Sequence, residues 1–152
     1  MAIFVINEWL WADASGSNGR DHQRRAYTVI SRLGTSAHRI VIIEGSSFDR
    51  KAWNICKSTV TVVQAIARAY VVNVRQNSDR CMILKPQDAA AIPDALAAAV
   101  NPDDHYLVQA LNTVSDAILV TTDEALCIAL RAAGLDCITP DRLLHEYLSE
   151  GP

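Results

Sequence analysis

Four acidic side chains stand where they could hold a metal ion. Glu8 follows Asn7 at the end of the apolar run Ile3-Phe4-Val5-Ile6, Asp103 and Asp104 open a helical pattern, and Asp123 follows the run Ala117-Ile118-Leu119-Val120 after two threonines. Carboxylates gathered in one crevice repel one another and stay ionised only beside a counter-charge, so such a cluster normally takes a hard cation through oxygen ligands. Mg2+ or Mn2+ suits that donor set, with Glu8, Asp103, Asp104 and Asp123 as the ligating residues. A cation held by two or three protein groups orients a phosphodiester, stabilises charge on its oxygens and lowers the pKa of an attacking water. The expected reaction is phosphodiester hydrolysis, with Asn7, Glu8, Asp103 and Asp123 as the catalytic set.

Each of these residues also has a purely structural reading. Asp103 and Asp104 sit in a first helical turn, where the helix dipole favours acids by roughly 0.3–1 kcal/mol each, and Asp123 occupies a strand-to-helix turn that wants a cap. Glu8 is followed by Trp9-Leu10-Trp11, which bury its surroundings, so it needs a partner: a metal, or an arginine such as Arg39. The two tryptophans read as packing residues and His105 as a solvated helix position, while Arg20, Arg24, Arg25 and Arg32 form a basic stripe, either solvated or turned to RNA.

The positioning elements follow from periodicity. Residues 3–6, 40–43, 81–84, 117–120 and 135–138 are short apolar runs of the kind found in buried parallel strands. Between them lie helical patterns: Asp21 caps one that carries Ala26, Val29, Ile30 and Leu33 and stops at Gly34; a short one covers Phe48 to Cys56; a third runs from Ser58 through Val62, Val63, Ile66, Ala69 and Tyr70. Val71 to Val74 reads either as the end of that helix or as a strand, and Asp88 to Val100 as a helix broken at Pro93. Asn101-Pro102-Asp103-Asp104 carries the N-cap, first-position proline and acidic turn of a helix start, Thr121 to Glu124 has capping-box spacing for a helix ending at Gly134, and Thr139-Pro140-Asp141 starts the last helix. Alternating strands and helices predict an α/β three-layer αβα sandwich around a mostly parallel central sheet, with any ligand beyond the C-terminal ends of the strands.

The 152 residues suit one domain, taken as 1–150, half apolar and one fifth charged. No apolar run reaches the eighteen residues of a membrane span and Ala2 to Ile6 is too short for a signal core, which predicts a cytoplasmic protein. Cys56, Cys81, Cys127 and Cys137 lack metal-ligand spacing and are expected to be buried reduced thiols. The charge is lopsided: residues 1–85 carry 12 Lys and Arg against 6 Asp and Glu, and residues 86–152 carry 2 against 11. A basic part that grips a polyanion beside an acidic part that holds a cation would use that split. Neither GxGxxG nor GxxxxGK[ST] occurs, so a phosphate-cradling nucleotide domain is disfavoured.

The segment Asp103-Asp104-His105-Tyr106-Leu107-Val108-Gln109-Ala110-Leu111, then Ala117 to Leu126 with its Val120-Thr121-Thr122-Asp123, then Gly134-Leu135-Asp136-Cys137-Ile138-Thr139-Pro140, resembles the second half of a PIN domain. The resemblance is specific over residues 101–145 and holds in outline over most of the chain. It implies a metal-dependent ribonuclease using Mg2+ or Mn2+, often the toxin of a toxin–antitoxin pair or an RNA-processing nuclease, with RNA, an antitoxin or other protein, and a second copy of the chain as partners. Asp103 and Asp123 match the third and fourth acids of that family; Asn7 stands where the first is normally Asp, with Glu8 next and Asp13 near. The second acid has no clean match, leaving Glu44, Asp49 or neither. Asn7 can ligate through its amide oxygen but brings no charge and no base, so the alternative reading is a catalytically degenerate PIN-like module that binds RNA or a protein without cleaving it.

Overall fold

The computed structural model describes residues 1–149; Glu150, the last residue of the expected domain, lies outside the described residues. Strands β1 (Ile3–Ile6), β2 (Arg39–Ile43), β3 (Cys81–Leu84), β4 (Ile118–Val120) and β5 (Asp136–Ile138) form one sheet in the order β3-β2-β1-β4-β5. Every pairing is parallel. The intervening helices are α1 (Trp9–Ala14), α2 (Arg20–Thr35), α3 (Ser47–Ile55), α4 (Thr61–Tyr70), α5 (Asp94–Ala99), α6 (His105–Thr113), α7 (Glu124–Ala132) and α8 (Pro140–Arg142).

The two-residue period of a strand divides the core into two layers. Phe4, Ile6, Ile40, Ile42, Val120 and Ile138 pack with α1 to α4 and the C-terminal segment around Leu143 and Leu148. Their alternates Val5, Val41, Ile43, Leu119 and Cys137 pack with α5, α6 and α7 through Leu96, Leu107, Leu111, Leu126 and Leu130. The architecture is the expected αβα sandwich, with the sheet wholly rather than mostly parallel. Among the described residues no helix is long and apolar enough to cross a membrane.

Several local expectations change. Gly19, at φ +94°, precedes α2, which puts Asp21 in the first turn rather than at the cap, and α2 runs past Gly34 to Thr35. Gly34 is a close-approach site instead: a Cβ there would stand 3.1 Å from Asn73 Cβ. Val71–Arg75 continues α4 as a wider π-type turn, and of the Ala-rich stretch only Asp94–Ala99 is α-helical, with Asp88 closing a short 3-10 turn, because Pro93 removes the N–H that would extend the helix backward. Of the two caps the turn offered, Asp123 and not the Thr121 of the capping-box pattern caps α7, as its own capping reading expected. His105 is no solvated residue: its Nε2 lies 3.1 Å and 3.0 Å from the Ala97 and Val100 carbonyls. Cys127 and Cys137 form a disulfide where α7 packs beside β5, while Cys56 and Cys81 are free, so the expectation of four thiols fails for one pair.

Candidate functional site

Parallel strands put all their C-terminal ends on one edge of the sheet, and a helix that leads into a strand must begin at that same edge. α6 leads into β4, so Asp103 and Asp104 at its start lie beside the ends of β1 and β4. α3 leaves β2 at the same edge and brings Ser47 and Lys51. Strand order reverses direction between β1 and β4, the topological switch point at which open α/β sheets leave a crevice.

β1 is hydrogen-bonded to β4 to its last residue and one beyond, Asn7 N–H donating to the Val120 carbonyl at 3.1 Å. The chain then leaves the sheet: Glu8 has helical dihedrals as the cap of α1, so the one-residue offset from Asn7 does not turn its side chain through the sheet. Trp9 and Trp11 wall the base of the turn as expected of packing residues, their indole N–H groups donating to the Val120 carbonyl at 2.9 Å and the Phe48 carbonyl at 3.0 Å.

Asn7 is held from both sides. Its amide N–H donates to Thr121 Oγ1 at 2.9 Å, and its amide oxygen accepts the Glu8 N–H at 2.7 Å. Thr121 Oγ1 also accepts the Asp123 N–H at 3.1 Å, and Asp123 Oδ1 accepts the Leu126 N–H at 3.0 Å. A chain of hydrogen bonds therefore couples the ends of β1 and β4, and Asp123 caps α7 through Oδ1, its second oxygen unused by the cap.

Arg39, the arginine expected to partner Glu8, does not do so. Arg39 donates instead to the Ser78 carbonyl at 3.0 Å. The Glu8 partners come from α3: Lys51 Nζ lies 3.0 Å from Oε1, and the Ser47 hydroxyl donates to the same oxygen. Distance explains the difference, since Arg39 starts β2 at the opposite edge while α3 begins at the crevice.

Asp104 is the inner of the two acids at the start of α6, half-buried where Asp103 is exposed. Burial raises its carboxyl above the ordinary range, and the negative charges of Asp123, Glu8 and Asp103 push it the same way. Tyr106, two residues on, has a buried hydroxyl raised by burial and then by the charges of Glu8 and Asp104. The fold thus brings Asp104 within electrostatic reach of Glu8, Asp103 and Asp123.

The other acids are elsewhere. Asp13 is 2% exposed and bound to Arg25 Nη2 at 2.8 Å and to Asn18 Nδ2 at 2.7 Å. Asp49, 3% exposed, takes Arg75 Nε at 2.9 Å and Nη2 at 3.2 Å together with the Gly45 N–H at 3.0 Å. Glu44 is exposed. The sites that sequence reasoning passed over are Ser47 and Lys51, whose i, i+4 spacing at the start of a helix following a strand was the available signal, and Tyr106, which reads simply as core.

Oxygen donors of this kind fit Mg2+ or Mn2+ chemically. As placed, however, Glu8 Oε1 is taken by Lys51 and Ser47 and Asp123 Oδ1 by its cap, and among the described residues no group of three or more His, Cys, Asp or Glu stands ready to hold a metal. Two open surface hollows of about 460 Å³ lie apart from these acids, one between α2 and α4 lined by Arg20, Arg24, Tyr27 and Val62, the other lined by α5 and α7.

No protein-family model matches this chain, and no curated protein does.

Proposed function

We propose that the chain is a metal-dependent endoribonuclease of the PIN-like type, acting at the crevice between β1 and β4. The observation that carries this reading is the placement of Glu8, Asp103, Asp104 and Asp123 at one edge of a parallel sheet, beside its switch point, with Asp104 half-buried and within electrostatic reach of the other three. Carboxylates left in that condition gain most from a divalent cation. Glu8, Asp104 and Asp123 would hold Mg2+ or Mn2+, with Asp103 at the rim. The bound cation would supply charge stabilisation on the phosphodiester oxygens and a water of lowered pKa. Asn7, clamped between Thr121 and the Glu8 N–H, fixes the spacing of the two strand ends and takes no proton. The exposed Arg20 and Arg24 on α2 offer charge to an RNA backbone. A protein partner such as an antitoxin, or a second copy of the chain, belongs to the same proposal.

One observation favours a second reading, a PIN-like module that binds RNA or protein without cleavage. The first acidic place holds Asn7, neutral and bonded on both sides, and of the two candidates for the second Asp49 is closed by Arg75 while Glu44 is exposed. The deciding experiment pairs Mn2+ calorimetry with cleavage of mixed single-stranded RNA, on the wild type and on Asp104→Asn/Asp123→Asn. Binding and cleavage that both disappear in the double variant support the nuclease; Mn2+ binding without cleavage supports the second reading, and no Mn2+ binding by the wild type defeats the metal.

A further inference from the structure

The cysteines of the chain stand in different settings. Cys56 follows α3 and Cys81 lies on the edge strand β3, both as free thiols, while Cys127 and Cys137 join α7 to β5 at the opposite edge of the sheet. Burial raises the Cys56 thiol above its ordinary value and pushes Cys81 up to about 12, so neither offers the thiolate that attacks a disulfide. A reductant of the Cys127–Cys137 bond therefore comes from outside the chain.

The bond spans a sequence separation of 10 residues at the rim of the fold. β5 pairs with β4 alone over three residues, and α7 buries Leu126, Cys127 and Leu130 while Ile128 is 61% exposed. Segments with so few buried side chains lie at the low-stability end of a protein and open without unfolding the rest. Such an opening carries the two buried sulfurs to a reductant. Without the bond, α7 is still held to β5 by a hydrogen bond from Arg131 Nη2 to the Cys137 carbonyl at 2.9 Å and by burial of Leu126 and Leu130. The Cα atoms stand 5.5 Å apart, the usual separation of a bonded pair, so this backbone brings the sulfurs back together. Cys127 also lies one turn past the cap of α7, its N–H donating to the Asp123 carbonyl at 3.1 Å.

We propose that Cys127–Cys137 is a reversible redox lock on α7 and β5, opened and closed by exchange with an external dithiol. One thiolate of the dithiol attacks one sulfur of the bond, the other sulfur leaves, and the second thiol of the reductant then closes its own disulfide. Two electrons pass to the protein, each cysteine ends with one of the two protons of the dithiol, and the dithiol departs oxidised. The oxidised chain holds α7 against the edge strand; the reduced chain lets α7 and its capped first turn fluctuate. Disulfides persist in oxidising surroundings and are lost where thiol reductants are in excess, so the order of this segment follows the redox state of the medium.

The test compares the full chain before and after dithiothreitol. Thiols titrated in guanidinium chloride should number two in the oxidised chain and four in the reduced one, and return to two once the reductant is dialysed away in air. Hydrogen exchange read by mass spectrometry should show protection over residues 124–138 falling about ten- to a hundredfold on reduction, as expected for releasing so short a loop. Protection of β1 and β2 should change less than about twofold. Cys127→Ala/Cys137→Ala should reproduce the reduced pattern and ignore dithiothreitol; if that variant does not fold, the two states of the wild type decide alone. Four thiols in the oxidised chain, failure to return to two, or equal protection over residues 124–138 in both states overturns the lock. Protection lost across the whole sheet on reduction also overturns it, because the bond is then a staple of the entire fold.

Discussion

The acids beneath the helices and the acids at the end of the sheet have the same chemistry and opposite fates. Asp13 and Asp49 are buried, and each is closed by an arginine from a neighbouring helical segment: Arg25 ties α1 to α2 and lies 5.6 Å over the Trp9 ring, and Arg75 ties the end of α4 to α3. Burial alone would lower the Arg75 pKa, but its hydrogen bond and charge pairing with Asp49 outweigh that and raise it. At the crevice Glu8 pairs with Lys51, and Asp104 is raised by burial and by the negative charges of Asp123, Glu8 and Asp103. An acid closed by arginine works for the fold, and a crowd of acids short of cations is available to a ligand.

The sharpest way to break this comparison is to remove one acid from each region. Asp49→Ala leaves Arg75 covered and unpaired and should cost about 3–5 kcal/mol in urea unfolding. Glu8→Ala frees a half-exposed lysine and should cost less than about 1 kcal/mol. Equal losses would make the crevice a structural feature like the others.

Asp123 allows a finer cut, because it caps α7 through Oδ1. Asp123→Ala should lose about 1 kcal/mol of stability with the cap, while Asp123→Asn keeps an accepting oxygen and should lose only a few tenths. If both variants abolish Mn2+ binding, the charge acts at the crevice; loss of binding in proportion to stability would assign Asp123 to the helix alone.

The smallest effect is one of pH. The Asp104 carboxyl is raised in the folded protein above its ordinary 3.8. The folded state then binds the proton more tightly than the unfolded chain, so Asp104 destabilises the fold above its raised pKa, and that penalty fades as pH falls through the raised pKa toward 3.8. Asp104→Asn should therefore melt slightly above wild type at neutral pH and converge with it below pH 3.8. A wild type that gains nothing relative to the variant on acidification would remove the crowding that supports the site.

Much of the fold is legible because strands and helices declare themselves locally. The five apolar runs, the Asn101 cap of Asp103 N–H at 2.9 Å and the Thr139 cap of Arg142 N–H at 3.2 Å stand where residue type and spacing put them. The misses are places where a distant partner matters: Gly34 lies inside α2, where its missing Cβ makes room for Asn73, and Cys127 meets Cys137 because α7 folds back on β5. The expectation that Glu8 needs a partner is met, but its identity is a matter of which helix starts at which edge of the sheet, as the Lys51 contact and the diversion of Arg39 show.

Residue order by itself determined that acids would follow strands and open helices, since caps, apolar runs and first turns depend on neighbours in the chain. Which acids share a crevice was decided only when parallel pairing set β1 beside β4 and carried the start of α6 to the same edge. Asp13 and Asp49 look no different from Asp104 and Asp123 in the sequence; an arginine 12 or 26 residues away closes the first two, and that distance is spanned only by tertiary packing.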